Sequence, residues 1–135
     1  METLEIKPVT EKDYLFLYHL LSERSPIENI SHKNMPTWRE HVKFNKSSPY
    51  KEDYIIWNGN ERVGRVYISR NDEVGIFITK AYRGFGYGTK ILKQILKNGG
   101  TYLANIAPKN KRSQKFFEGL GFKLVQYTYK YESVH

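Results

Sequence analysis

Apolar residues along the chain change period several times, and each change marks an element. Leu4 and Ile6 alternate with polar neighbours ahead of Pro8-Val9, which predicts a first strand. Thr10, followed by Asp13, can start a helix whose Leu15, Leu17, Tyr18, Leu20 and Leu21 recur at helical spacing, and Ser25-Pro26 ends it. Residues 27–36 have no period and read as a loop. Thr37 is a candidate N-cap that Glu40 completes as a capping box, with Trp38, Val42 and Phe44 expected to face inward. Beyond a Ser-Ser-Pro loop, the strand-like runs 54–57 and 62–69 flank Asn58-Gly59-Asn60, a hairpin signal. A turn at Arg70-Asn71-Asp72 leads into 73–79, giving an antiparallel meander.

The second half alternates strand and helix. A helix is predicted over 89–98, with Ile91, Leu92, Ile95 and Leu96 on one face and Gly99 as its stop. Residues 102–106 predict a short buried strand, 111–120 a helix, and 122–131 one or two final strands. This order predicts an α+β fold in which a mixed, mostly antiparallel central sheet is flanked by helices. With 135 residues and no linker, repeat or low-complexity segment, 1–135 is expected to be one domain.

Composition narrows the chemistry. Hydrophobic content of 39% with 15% aromatic residues is that of a folded globule. The absence of cysteine excludes disulfides, thiolate metal sites and cysteine nucleophiles, and the four histidines show no metal spacing, so no metal is expected. Neither a secretion-signal layout at the N-terminus nor a run of transmembrane length is present, which predicts a cytoplasmic protein without membrane association. The net charge of +8 calls for an anionic partner. Basic residues are scattered, with no run longer than two, which argues against nucleic acid.

The most specific segment is 73–89, where a strand-like run ends in Arg83-Gly84-Phe85-Gly86-Tyr87-Gly88-Thr89 and opens a helix. Glycines that accept φ > 0 and carry no Cβ let backbone N–H groups turn toward a phosphate, and the helix adds its positive end. A Walker loop would need Gly-Lys-Ser/Thr, whereas Gly88 is followed by Thr89 and then Lys90. A dinucleotide loop would need Gly-x-Gly-x-x-Gly, which Thr89 denies, and an acid roughly 20 positions on, where Asn105 stands.

Arg83-x-x-Gly86-x-Gly88 instead resembles the pyrophosphate loop of the GNAT superfamily of acetyl-coenzyme A-dependent N-acetyltransferases. Downstream, residues 104–122, with Asn105, Asn110, Ser113, the aromatic pair Phe116-Phe117 and a closing Leu120-Gly121-Phe122, are similar to that superfamily's second coenzyme-binding segment. The resemblance covers about residues 73–125 and is loose over the first 50. It implies a GNAT-like fold and acetyl-coenzyme A as co-substrate. The strand before the loop should splay from its neighbour, so that main-chain groups of Ile76, Phe77 and Ile78 meet the pantetheine arm and the acetyl oxygen, Ile78 being counted with Glu73 as catalytic. Arg83, Gly84, Phe85, Gly86, Tyr87, Gly88 and Thr89 would hold the pyrophosphate, and Asn105, Asn110, Arg112, Ser113 and Phe116 further parts of the coenzyme.

Acetyl transfer to an amine needs a polarised carbonyl, a neutral amine and a proton for the departing thiolate. The resemblance makes Glu73 the candidate base, acting through water; a solvated residue beside a turn is the plainer alternative. Many superfamily members carry a tyrosine as general acid where this chain has Phe117. Tyr82, Tyr87 or Ser113 could substitute, or none is needed, because a thiolate of pKa about 8.5 is a tolerable leaving group. Asn110 is equally an ordinary helix cap, and Lys109, Lys111 and Arg112 equally a solvated face.

The expected reaction is direct attack of a small-molecule primary amine on the thioester. His32, Asn34, Trp38 and Tyr67, with Tyr50 and Tyr54, are the acceptor candidates. Their polar and aromatic mixture, and a loose likeness of 30–41 to amino-sugar-modifying members, point to an amino-sugar nucleotide. Acetylation of a peptide or protein amine, or a non-catalytic coenzyme-binding module, are the alternatives. Monomer and homodimer remain open.

Overall fold

The computed structural model describes residues 3–24 and 34–134. Four strands form one antiparallel sheet in the order β1-β2-β3-β4: Leu4–Pro8, Glu52–Asn58, Glu61–Ile68 and Val74–Ile78. Helices α1 (Tyr14–Ser22), entered through a 3₁₀ turn at Glu11–Asp13, and α2 (Trp38–Lys46) follow β1. A second 3₁₀ turn at Lys80–Tyr82, then α3 (Tyr87–Leu96) and α4 (Lys111–Gly119), follow β4. This is the α+β arrangement of an antiparallel sheet flanked by helices.

Strand alternation divides the core into two layers. Ile56, Val66, Ile68 and Val74 pack with Ile91, Leu92 and Phe117 from α3 and α4. The opposite face carries Ile55, Trp57 and Phe77 against Tyr14, Leu17 and Leu20 of α1. Ile55 and Ile56 are both fully buried, one in each layer, as expected for a sheet covered on both sides. Each contributes about 1.5–3 kcal/mol of burial. The hairpin turns through Gly59, in left-handed conformation, and Asn60, and a bulge between Ile56 and Trp57 shifts the β2–β3 register.

Five expectations need correction. Residues 102–106 form no extended strand: only Leu103 bridges Glu73, in parallel sense. Tyr102, Ala104 and Ile106 still pack on the core, so the alternation reports packing without a hydrogen-bond ladder. Residues 122–131 form no strand, and without a ladder to join, Tyr129 is 90% exposed. On α2, Trp38 and Phe44 turn outward, because the inward positions are taken by His41 and Asn45. Leu15 of α1 is also exposed, and the neighbouring Tyr14 fills the inward place. Finally, α3 begins at Tyr87, so Gly88 is helical rather than part of the loop.

Candidate active site

A cleft of about 1020 Å³ runs along the free edge of β4, between the first turn of α3, α4 and the ends of α1 and α2. Its origin is the way β4 ends. Val74 N–H donates to Leu103 on the side away from β3 (2.7 Å), and Leu103 N–H returns a bond to the Asp72 carbonyl (2.9 Å). Beyond that bridge no strand accompanies β4. Two-residue alternation puts the main-chain groups of Ile76 and Ile78 on the same open edge, while Phe77, opposite Arg65, turns its main chain to β3. The three strand positions singled out in the sequence thus divide: Ile76 and Ile78 offer backbone, Phe77 offers its ring to the other layer.

The loop after β4 is shaped as a cradle. Gly84 (φ 87°) and Gly86 (φ 78°) adopt the left-handed conformation, and nothing lies within 4 Å of where their Cβ atoms would stand. Gly86 caps α3, so the amides of Gly88 and Thr89 lie in the first turn, at the positive helix end. Gly88 acts by packing: its Cβ would stand 3.4 Å from the Phe116 ring. Arg83 ties the loop to the strand, its Nε donating to the Ile78 carbonyl (2.9 Å). Phe85 projects outward and does not line the cleft.

On the α4 wall, the Asn110 side chain accepts from Ser113 N–H (3.1 Å), the cap expected on local grounds. Asn110, Arg112, Ser113 and Phe116 all border the cleft. Phe117 is 8% exposed and belongs to the core. Of the alternative acids, Tyr82, Tyr87 and Ser113 all border the cleft, but Tyr87 is largely buried with its hydroxyl accepting from Asn58 (3.2 Å).

Glu73 stands at the start of β4 and borders the same space. One carboxylate oxygen accepts from Ser69 Oγ (3.1 Å) and the other from Asn105 Nδ2. Asn105, expected at the coenzyme, is thereby an anchor for this carboxylate. Two bonds leave unused lone pairs, so an ionised Glu73 can still take a water.

The other half of the cleft has an aromatic wall. Tyr67 stacks on Tyr50 with centroids 3.9 Å apart and lies over Phe77 at 6.5 Å. Burial raises both phenol pKa values, so both hydroxyls stay protonated at neutral pH. Beneath them Arg65, 7% exposed, makes a two-point bond to Asp53 (2.8 and 2.6 Å), donates to Asn45 Oδ1 (3.1 Å) and lies over the Tyr50 ring. His41 is 2% exposed; its Nε2 donates to the Tyr14 carbonyl (2.8 Å), and burial lowers its pKa. Asn34 and Tyr67 border the cleft; Trp38, which packs against Tyr18 and His41, does not, and His32 lies outside the described residues. Tyr54 instead packs against the α3–α4 layer. The sequence reading missed Arg24, Arg65, His41 and Asn45. The available signal was a charge at an inward strand position, Arg65, which requires a partner.

The geometry defines an acyltransferase-like cleft: an open strand edge leading into a glycine cradle. Residues 3–123 match the family described as the acetyltransferase (GNAT) domain, and the chain belongs to that family. No curated protein matches it. Among solved structures, a domain from Methanocaldococcus jannaschii DSM 2661 is 28% identical with a TM-score of 0.77, over 95% of this chain and 93% of that one. An aminoglycoside N-acetyltransferase in complex with CoA is 16% identical (TM-score 0.71; 98% and 96% covered). A spermidine N-acetyltransferase from Vibrio cholerae is 18% identical (TM-score 0.70; 89% and 79% covered). The last two likenesses concern the fold. No described helix is long and apolar enough to cross a membrane, and no three metal-binding side chains cluster among the described residues.

Proposed function

We propose that the chain transfers the acetyl group of acetyl-coenzyme A to a primary amine of a small molecule, by direct attack in a ternary complex. The observation that carries this is the open β4 edge at Ile76 and Ile78 running into the cradle of Gly84, Gly86 and the first amides of α3. These groups fit a coenzyme with an amide-bearing arm and a pyrophosphate, since main-chain groups can be approached closely where Cβ atoms are absent. Arg83, Arg112, Asn110, Ser113 and Phe116 border the same half of the cleft.

Acetyl-coenzyme A supplies the acetyl group as an activated thioester. An arm that starts at the loop meets Ile78 first and Ile76 second, so its reactive end falls toward Glu73 and the Tyr67 wall. Glu73 lies about 10 Å along the strand from Ile76 at about 3.4 Å per residue, so it takes the amine proton through water. Nitrogen then bonds to the acyl carbon, the carbon–sulfur bond breaks, and the thiolate takes a proton from solvent, Tyr82 or the product ammonium.

The acceptor wall of stacked tyrosines, with Asn34 at its edge, suits a polar small molecule with a flat or hydroxyl-bearing part. A nucleotide-linked amino sugar is the narrower reading and rests on that side-chain mixture alone. Isotope-labelled acetyl-coenzyme A incubated with an amine panel, with products identified by mass, tests the proposal. Labelled N-acetyl product supports it; binding of the coenzyme without product from any amine contradicts it and leaves a binding module.

A further inference from the structure

Arg24 brings to the cleft a buried guanidinium nitrogen that nothing described answers. It follows the last turn of α1 and borders the acceptor half of the cleft, and its Nε is buried with no hydrogen-bond partner. An unmade hydrogen bond at a buried guanidinium nitrogen is expensive, so this group is expected to meet an anion when the site is filled. Its place beside the aromatic wall shows in the Tyr67 phenol, whose pKa burial raises while the Arg65 and Arg24 charges pull it down.

Among the described residues, the nearby acids are bonded to groups other than Arg24. Glu23, next to Arg24, takes the Thr79 hydroxyl (2.9 Å) and Lys80 N–H (3.2 Å). Glu40 takes Thr37 N–H (2.8 Å) in the capping box, and Glu73 is held by Ser69 and Asn105. Arg65, the other arginine on this side, is already matched by Asp53. Arg24 therefore adds a positive charge with no bonded carboxylate among the described residues at the acceptor end. A polycation such as spermidine or an aminoglycoside, the acceptors named for two similar folds, would meet repulsion here.

Resting on the acetyl-transfer reading, we propose that Arg24 is a specificity residue that pairs with an anionic group, carboxylate or phosphate, of the acceptor amine. The guanidinium fork suits either oxyanion and would gain the hydrogen bonds its Nε now lacks. Pairing at Arg24 would hold the amine against the Tyr67 wall, toward the start of β4.

The test uses the whole chain loaded with coenzyme A and amines in matched pairs: tyrosine against tyramine for carboxylate, glucosamine 6-phosphate against glucosamine for phosphate, with spermidine as polycation. Calorimetry should show at least one anionic member binding about tenfold or more tighter than its partner. Arg24→Ala should abolish that preference and Arg24→Lys keep part of it, with coenzyme affinity unchanged. The preferred pair identifies the oxyanion. Equal binding within both pairs, preference for spermidine, no amine bound at all, or a preference surviving in Arg24→Ala would overturn the assignment. Acetyl-coenzyme A binding and product formation with any amine, measured separately, report on the underlying reading.

Discussion

The ring of Tyr67 occupies the space that a Cβ on Gly75 would need, so the aromatic wall of the cleft lies directly on the β4 backbone. Tyr67 cannot simply swing away, because Tyr50 stacks on its other side. Gly75→Ala should therefore cost about 1–3 kcal/mol of stability. It should also raise the acceptor KM while leaving acetyl-coenzyme A affinity intact. Urea titration and calorimetry check the two effects; an equal loss of coenzyme affinity would place Gly75 in the coenzyme half.

Gly86→Val and Gly88→Val should weaken acetyl-coenzyme A binding by at least tenfold, about 1.4 kcal/mol, for different reasons. At Gly86 the left-handed φ of 78° is strained for any residue with a Cβ, although space is free. At Gly88 the added side chain presses on Phe116 and displaces α4. Unaltered affinity in folded variants would remove the cradle from the coenzyme site.

Asp53→Ala should destabilise the fold by about 3 kcal/mol, because it leaves the Arg65 guanidinium buried without its carboxylate. Replacing both partners, as Arg65→Met with Asp53→Leu, should cost less than the single change. A double variant less stable than Asp53→Ala would assign the pair a net stabilising value.

Burial holds the His41 pKa below its ordinary value, so the folded state favours the neutral ring. That contribution is present above the unfolded imidazole pKa of about 6.5 and is lost as pH falls through the lower folded value. Thermal stability should thus decline with acidification, and His41→Gln should show a shallower decline. Identical acid limbs would exclude His41 as a source.

Glu73→Gln should lower turnover by about 10²-fold at neutral and lower pH, where the amine most needs a base, and less at high pH. The amide keeps the shape but can still bond Ser69 or Asn105. An unchanged pH–rate profile with reduced thermal stability would make Glu73 purely a support for the β3–β4 turn.

Features written locally were legible in the chain. The Thr37–Glu40 capping box, the turn through Gly59-Asn60 and the left-handed Gly84 and Gly86 each depend on residues a few positions apart. The glycine-loop half of the cleft is built largely from such features, which is why its segment stood out. What escaped depends on distant partners. Arg65 finds Asn45 20 positions away, and His41 reaches Tyr14 across 27, so neither buried polar contact has a local signature. Alternation at 102–106 and 122–131 suggested strands, but a strand also needs a neighbour in register, and β4 diverges after the Glu73–Leu103 bridge. That same divergence leaves Ile76 and Ile78 free, so the failed strand and the open cleft have one cause.

The most direct measurement is initial-rate thiol release from acetyl-coenzyme A, with coenzyme and a primary amine varied together and the N-acetyl product confirmed by mass. Because the chain has no cysteine, no thiol-linked acetyl-enzyme can form, and the proposed route has transfer occur with both substrates bound. The result expected is amine-dependent thiol release matched by N-acetyl product, with intersecting double-reciprocal lines. Parallel lines with an acetylated protein would contradict direct transfer, and coenzyme binding without amine-dependent release would contradict catalysis itself.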